Sequence, residues 1–341
     1  MRSVVHHRPG AADVLELADR PVPEPGPGDV RVRVVVSGVN PTDVDARRRG
    51  AGTIQHFREP HVPGQDGAGV VDAVGDGVHS LRKGDRVWVW DAAWQRHEGT
   101  TQEYLVLPAH QVVVLADDVS FDVGASLGIP ALTAHRALTS FAEGPAELGP
   151  GALAGVTVLV QGGTGAVGHA AVQLAVWAGA NVITTVSSPE KVRLATAAGA
   201  HHVVDYRATN VHDEIKALAP DGVNLIVEVN AHANMPTDLS VAAPHAGISL
   251  YTPGSGGVTS LASRQAMTKN LQVSFILTYT TTPAQKAAAV RAVSAATAAG
   301  ALDVGEDHGL PLTRFALEHA ADAHLAVERH VTGKVLIDVT P

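Results

Sequence analysis

The chain has no cysteine among its 341 residues. That excludes disulfides and every thiolate metal site, and it is compatible with a reducing compartment. A basic run is also missing. Lys and Arg number 25 against 34 Asp and Glu, a formal net charge of -9, so the surface is mildly acidic and a nucleic-acid partner is not expected. The opening MRSVVHHRPG lacks a long apolar segment and reads as a strand, so no signal peptide is expected. From Gly168 to Val186 the chain is long enough for a membrane span, but His169, Gln173, Gly179 and Asn181 interrupt it and Gly179 would break the helix. A buried strand–helix–strand unit explains that stretch better than a membrane. The 18 histidines invite a metal hypothesis, yet His6-His7 and His201-His202 are adjacent pairs and no H-E-x-x-H spacing occurs. They are expected to lie at the surface or at helix caps, and no metal is predicted.

What is present organises the chain around VTVLVQGGTGAVGHAAVQLAVWAGANVITTVSSPEK, Val156 to Lys191. A β-branched run leads into Gly162, Gly163, Thr164, Gly165, Ala166, Val167 and Gly168, and an Ala-rich segment follows, the order strand, turn, helix. Gly163, Gly165 and Gly168 fit G-x-G-x-x-G. In that pattern the first Gly permits a tight turn, the second admits a pyrophosphate to the backbone, and the third lets helix pack on strand, with the helix N-terminus facing the phosphates. A second β run, Asn181 to Val186, is followed by Ser187, 24 residues after Gly163, close to the span of about 20 expected to the ribose-reading position. A phosphate-cradling P-loop would need Lys after Gly168, where this chain has His169.

The residues after that second run choose the cofactor. A dinucleotide without a 2′-phosphate wants a carboxylate there, whereas a 2′-phosphate wants hydroxyl donors and cations. The chain offers Ser187, Ser188 and Lys191, with Tyr206 and Arg207 after the next run, His202 to Asp205. The expected cofactor is NADPH.

Length and a 45% hydrophobic content support two domains. Up to about residue 120 short β runs alternate with Pro and Gly: Val30 to Val36, Ala68 to Val74, Arg86 to Trp90, Tyr104 to Leu107 and Val112 to Leu115. Beyond 121 Ala-rich segments at helical spacing take over. Strands and helices then alternate through Val223 to Val229, Gly247 to Leu250 and Leu271 to Leu277, which predicts a parallel, doubly wound α/β sheet. Two helices, Pro283 to Ala299 and Arg314 to Arg329, and a closing strand, Lys334 to Val339, complete the pattern.

With GVNPTD (Gly38 to Asp43), PGQDGAGVV (Pro63 to Val71), KGDRV (Lys83 to Val87), ALTAHRAL (Ala131 to Leu138), the glycine turn and TGKVLI (Thr332 to Ile337), the chain resembles the medium-chain dehydrogenase/reductase superfamily. Within it, the chain resembles the zinc-free quinone oxidoreductases related to zeta-crystallin. The resemblance implies a GroES-like β domain, residues 1–122 and 278–341, around a Rossmann domain, residues 123–277. Zinc members carry Cys near the Asn40-Pro41-Thr42-Asp43 position and a His-Glu pair where this chain reads Gln65-Asp66. Gln65 and Asp66 are expected to be polar anchors of their loop, and Asp43 to be structural.

The same resemblance places Asn40 at the nicotinamide end as the one catalytic candidate. It implies cofactor contacts for Thr133, Asn230, Tyr251, Thr252, Pro253, Gly254, Phe275, Ile276 and Leu277. Where relatives often place a Tyr this chain has Asp45, followed by Arg47, Arg48 and Arg49, expected to form a solvated loop. The implied activity is NADPH-dependent reduction of a quinone or another α,β-unsaturated carbonyl by a cytoplasmic homodimer. The alternative is an enoyl-thioester reductase, and behind that a non-enzymatic crystallin or RNA-binding role. Substrate choice is left to loops such as 50–60, which carry no motif.

Overall fold

The computed structural model describes residues 1–49, 59–254 and 257–340, so most of the 50–60 loop lies outside the described residues. The chain divides into two compact units, Met1–Ile129 with Leu312–Pro341, and Pro130–Pro311.

The first unit is built on a seven-stranded sheet in the order Leu312–Ala316, Lys334–Asp338, Asp29–Val39, Asp66–Val74, Arg86–Val89, Val112–Val114, with Tyr104–Pro108 also paired to Asp29–Val39. In Asp29–Val39 the alternation read from VRVRVVV is real. Val30, Val32, Val34 and Val36 are buried in the core while Arg31 and Arg33 reach the other face, the period-2 rule for a sheet with one dry side. Lys334–Asp338 runs antiparallel to Asp29–Val39, which returns the C-terminal segment to the N-terminal sheet as the resemblance implied.

Two expectations are corrected in this unit. Arg314 to Arg329 is not one helix: Leu312–Ala316 is a strand parallel to Lys334–Asp338, and the helix is only Ala320–Glu328. Arg314 spans to Asp338 and Asp122 from that strand, and the sheet edge overrides the helical spacing. The arginine run is not a solvated loop either. Pro41–Arg49 is a helix, and helical spacing puts Asp43, Val44 and Arg47 on its buried side. Arg47 is paired there with Glu328, whereas Arg48 and Arg49 are exposed.

The second unit carries a six-stranded, all-parallel sheet in the order His202–Asp205, Asn181–Val186, Thr157–Gln161, Val223–Glu228, Ala242–Leu250, Gln272–Phe275. The order runs outward from the first strand in both directions, which makes it doubly wound and puts the switch point between Thr157–Gln161 and Val223–Glu228. Its central strands are almost continuously buried, including Leu159, Ile183, Ile226 and Ile248, as covering on both faces demands.

The unit boundary differs from expectation, since residues 278–311 belong with the parallel sheet rather than with the first unit. Helix Pro283–Ala298 buries Ala288, Ala289, Ala292, Val293 and Ala296 and packs on helices Leu132–Leu138 and Ala166–Trp177. Residues 123–129 stay with the first unit, where Asp66 accepts the Ile129 N–H at 2.7 Å. Among the described residues no helix is long and apolar enough to cross a membrane.

Candidate functional site

The glycine turn leaves the end of Thr157–Gln161 and enters helix Ala166–Trp177. Its left-handed residue is Gly162, at φ 73°, one position before the triplet, so the tight bend needs a glycine that the pattern does not count. The triplet glycines are required by space. A Cβ on Gly163 would collide with the Thr184 hydroxyl, and one on Gly168 would collide with the Gly162 carbonyl oxygen. At Gly165 the nearest atom to a Cβ would be 3.6 Å away, and the residue is exposed. Gly165 is also the N-cap, with no side chain to satisfy the first-turn amides. Those amides, from Ala166 to Gly168, therefore form an open positive pole that fits a pyrophosphate. Thr164 is buried beneath the turn. His169, in the position a P-loop gives to Lys, donates from Nε2 to the His308 carbonyl at 2.8 Å, and burial pushes its pKa down to about 4.

The four residues expected to read the 2′-phosphate come together at one corner of the sheet. Ser187 and Ser188 follow Asn181–Val186, and Ser188 caps helix Pro189–Ala197 by accepting the Lys191 N–H at 3.3 Å. Tyr206 follows the neighbouring strand, paired so that Asp205 faces Val186, and its N–H donates to the Val186 carbonyl at 3.0 Å. Among the described residues the Lys191 ammonium makes no ion pair, while the Tyr206 side chain is half exposed.

Further contacts implied by the resemblance lie at the same, C-terminal ends of the strands. Asn230 follows Val223–Glu228, and Gly254, at φ 69°, approaches so closely that a Cβ there would lie 2.7 Å from the Asn230 side-chain oxygen. This brings Tyr251, Thr252, Pro253 and Gly254 to Asn230. Phe275, Ile276 and Leu277 end the edge strand; Ile276 is buried, but Phe275 is 82% exposed. Thr133 is buried in helix Leu132–Leu138.

Beneath the turn lie two buried acids that sequence reasoning did not select, Glu228 and Asp238. The pairing of Val227 with Val160 and of Gln161 with Thr185 puts Glu228, Gln161 and Thr185 level across three strands. Gln161 donates to Asp238 Oδ1 at 2.9 Å and accepts from the Thr185 hydroxyl at 2.6 Å. The Gly162 N–H donates to the Thr185 backbone carbonyl at 3.2 Å and to its hydroxyl oxygen at 3.3 Å. Glu228 accepts from the Asn230 N–H and, at 3.0 Å, from the Asn234 amide. Burial pushes both carboxyls up, Asp238 furthest because it also faces Glu228. A Glu closing the apolar run VNLIVE was the one visible signal.

The first unit has its own buried cluster around Asn40. The Asn40 side chain accepts from Lys334 Nζ at 2.7 Å and donates to Asp66 at 2.7 Å and to Asp43 at 3.3 Å. Asp43 also accepts the Asn40 N–H at 2.8 Å, the reach-back of an N3 carboxylate to its cap. Lys334 lies 3.5 Å from Asp66. Burial and the neighbouring Asp66 push Asp43 up to about 7, while burial also pushes Asp66 up and the Lys334 ammonium down. Asn40 is 2% exposed and both ends of its amide are taken, so the structure shows it holding the cluster together. Gln65 and Asp66 are loop anchors as expected: Gln65 accepts the Ala93 N–H at 3.0 Å and Asp66 the Ile129 N–H. Among the described residues no three His, Asp or Glu side chains are grouped to hold a metal.

Residues 26–117 match the Alcohol dehydrogenase GroES-like domain and residues 166–304 the Zinc-binding dehydrogenase family. The quinone oxidoreductase of Homo sapiens is 32% identical over 344 residues, covering 99% of this chain and 97% of the relative. A solved NAD-dependent alcohol dehydrogenase superposes with a TM-score of 0.84 at 28% identity over 100% of both chains. A mycobacterial protein solved with NADPH gives 0.79 at 27% over 99% of both. Cysteine is absent from the chain, as the zinc-free branch would have it, and the fold, the glycine turn and near end-to-end identity agree. The chain is a member of the medium-chain dehydrogenase/reductase superfamily, in its zinc-free quinone oxidoreductase family.

Proposed function

We propose that this protein reduces quinones or related α,β-unsaturated carbonyls with NADPH and without zinc. The observation that carries the cofactor choice is the corner formed by Ser187, Ser188, Lys191 and Tyr206, where hydroxyls and a cation stand in the place an NADH site gives to a carboxylate. The amides of Ala166 to Gly168 hold the pyrophosphate, Lys191 pairs with the 2′-phosphate, and Asn230 with Tyr251 to Gly254 closes over the dinucleotide. Thr133 and Phe275 to Leu277 border its nicotinamide end. The bound nicotinamide supplies a hydride. Asn40 holds the buried Lys334–Asp66 cluster of the first unit, and no nucleophile is needed because the charge that develops on a quinone or enone oxygen is met by water or one donor.

NADPH oxidation measured against quinones, alkenals and enoyl thioesters tests the substrate class. Quinones and enones are expected to give the highest kcat/KM, and a preference for enoyl thioesters would move the protein to that alternative. Turnover should not respond to chelators; loss on chelation with recovery on adding zinc would contradict the zinc-free reading.

We also propose a cytoplasmic homodimer. The edge strand Gln272–Phe275 has no partner on its outer side among the described residues, and it ends in exposed Phe275 and Leu277. Open apolar edges of this kind are usually covered. Light scattering at micromolar concentration should report a dimer that Phe275→Glu weakens, and a wild-type monomer would remove the proposal.

A further inference from the structure

Asn230 and Gly254, which the proposed function gives to the dinucleotide, meet just past the C-terminal end of Val223–Glu228, a strand that flanks the switch point of the parallel sheet. A Cβ on Gly254 would come within 2.7 Å of the Asn230 side-chain oxygen. Asn230 is also the N-cap of helix Ala231–Val241, yet its side chain makes no capping bond to the first turn. The N–H of an N-cap residue lies outside the helical ladder and needs an acceptor from elsewhere. The usual source is a carboxylate or amide at the third helical position, as Asp43 serves Asn40 in the first unit. Here that position holds Ala233, which has no side-chain acceptor.

Glu228, the last residue of the preceding strand, takes that place. Its Oε1 accepts the Asn230 N–H and, at 3.0 Å, the Asn234 side-chain amide, whose nitrogen is also 3.3 Å from Oε2. Its main-chain carbonyl accepts the Tyr251 N–H at 3.4 Å, so one residue ties down both the Asn230 turn and the loop that carries Gly254. Glu228 is fully buried, whereas Asn230 is half-buried. We propose that Glu228 is a positioning residue: its carboxyl holds the Asn230 N–H and fixes the backbone turn, at φ -146°, from which the Asn230 side chain is set against Gly254 and the dinucleotide. This rests on the reading of Asn230 and Gly254 as cofactor contacts.

The test is the dissociation constant of NADPH and of NADH, measured in parallel. Glu228→Met, which has the length of the native side chain and none of its oxygens, should weaken both nucleotides about tenfold. A change at the 2′-phosphate would weaken only one. Glu228→Gln keeps one oxygen, and since Oε1 alone serves both donors, it should bind both as the wild type does. Asn230→Ala should bind as weakly as Glu228→Met. Adding Glu228→Met to Asn230→Ala should weaken binding no further while still lowering the melting temperature, whereas a general loss of structure would add to the defect. The proposal is overturned by Glu228→Met binding as the wild type does, by Glu228→Gln binding as weakly as Glu228→Met, or by additive losses in the double variant.

A second readout needs no cofactor. The Asn230 amide should exchange with solvent faster in Glu228→Met than in the wild type, and at the wild-type rate in Glu228→Gln. Equal exchange in all three would refute the hold on Asn230. If the wild type binds neither nucleotide, or if Asn230→Ala binds both as the wild type does, the assignment of these contacts to the cofactor fails, and amide exchange alone decides whether Glu228 positions Asn230.

Discussion

Each unit of this protein buries a group of carboxyls, and the two groups differ in one respect. Asp43 and Asp66 lie around Asn40 with Lys334 3.5 Å from Asp66, whereas Glu228 and Asp238 are held by the neutral amides of Asn234 and Gln161 and make no ion pair among the described residues. Removing a carboxylate from water costs several kcal/mol, or about 1.4 kcal/mol for each unit by which its pKa rises. A buried lysine offsets that cost by attraction; neutral amides offset less of it, and burial pushes both acids under the glycine turn up. The first solution balances charge with residues distant in sequence, and the second leaves the carboxyls pushed toward the protonated form.

The contrast is broken most forcibly by Lys334→Met, which turns the first cluster into the condition of the second. Losing one partner of a buried ion pair costs about 3–5 kcal/mol, to be seen as a lower denaturation midpoint at pH 8 that is partly regained as the pH falls and Asp66, already pushed up by burial, takes a proton. A loss that does not change with pH would mean that Lys334 contributes packing rather than charge.

Asp43→Asn sharpens the comparison within one cluster. Asp43 rises from 3.8 to about 7 on folding, so the folded state binds more protons through that window and wild-type stability falls as pH climbs from 4 to 7. The variant cannot lose stability in this way. Its melting temperature should gain on the wild type over those pH units and keep a constant offset above pH 8; a gap that does not change with pH would show that Asp43 ionises as it does in water.

A smaller effect is expected from Gln161→Leu, which leaves Asp238 Oδ1 without its donor at a cost of about 1–3 kcal/mol. Thermal melting checks the loss, and cofactor affinity should weaken with it because Thr185 loses its acceptor.

Lys191 is the exposed counterpart of Lys334, and removing it should cost affinity but little stability. A charge-assisted bond to a phosphate is worth about 1.5–3 kcal/mol, less when exposed, so Lys191→Ala should weaken NADPH about tenfold and leave NADH nearly unchanged. Lys191→Glu should reverse the preference. Titrations in which both nucleotides weaken equally would assign Lys191 to the fold instead.

Much of this is legible in the sequence. Valine alternation located Asp29–Val39, the run VTVLVQ located the first parallel strand, and glycine spacing located the turn, because each is a local requirement on backbone or side-chain direction. The corner of Ser187, Ser188, Lys191 and Tyr206 could be read as well, since neighbouring parallel strands end together. Elsewhere local reading failed where a distant partner decides. Arg314 belongs to a strand because Lys334–Asp338 lies beside it, and Arg47 is buried because Glu328, 281 residues away, is there to pair with it.

The two polar clusters show where the division falls. By itself the sequence determined the two folds, the dinucleotide turn and the residues offered to a 2′-phosphate, because periodicity and glycine placement are written over a few residues at a time. Only the tertiary structure decided which acids are charged. Asp238 meets Gln161 across 77 positions and Lys334 meets Asn40 across 294, and a carboxyl's ionisation depends on what surrounds it in space once water has been removed.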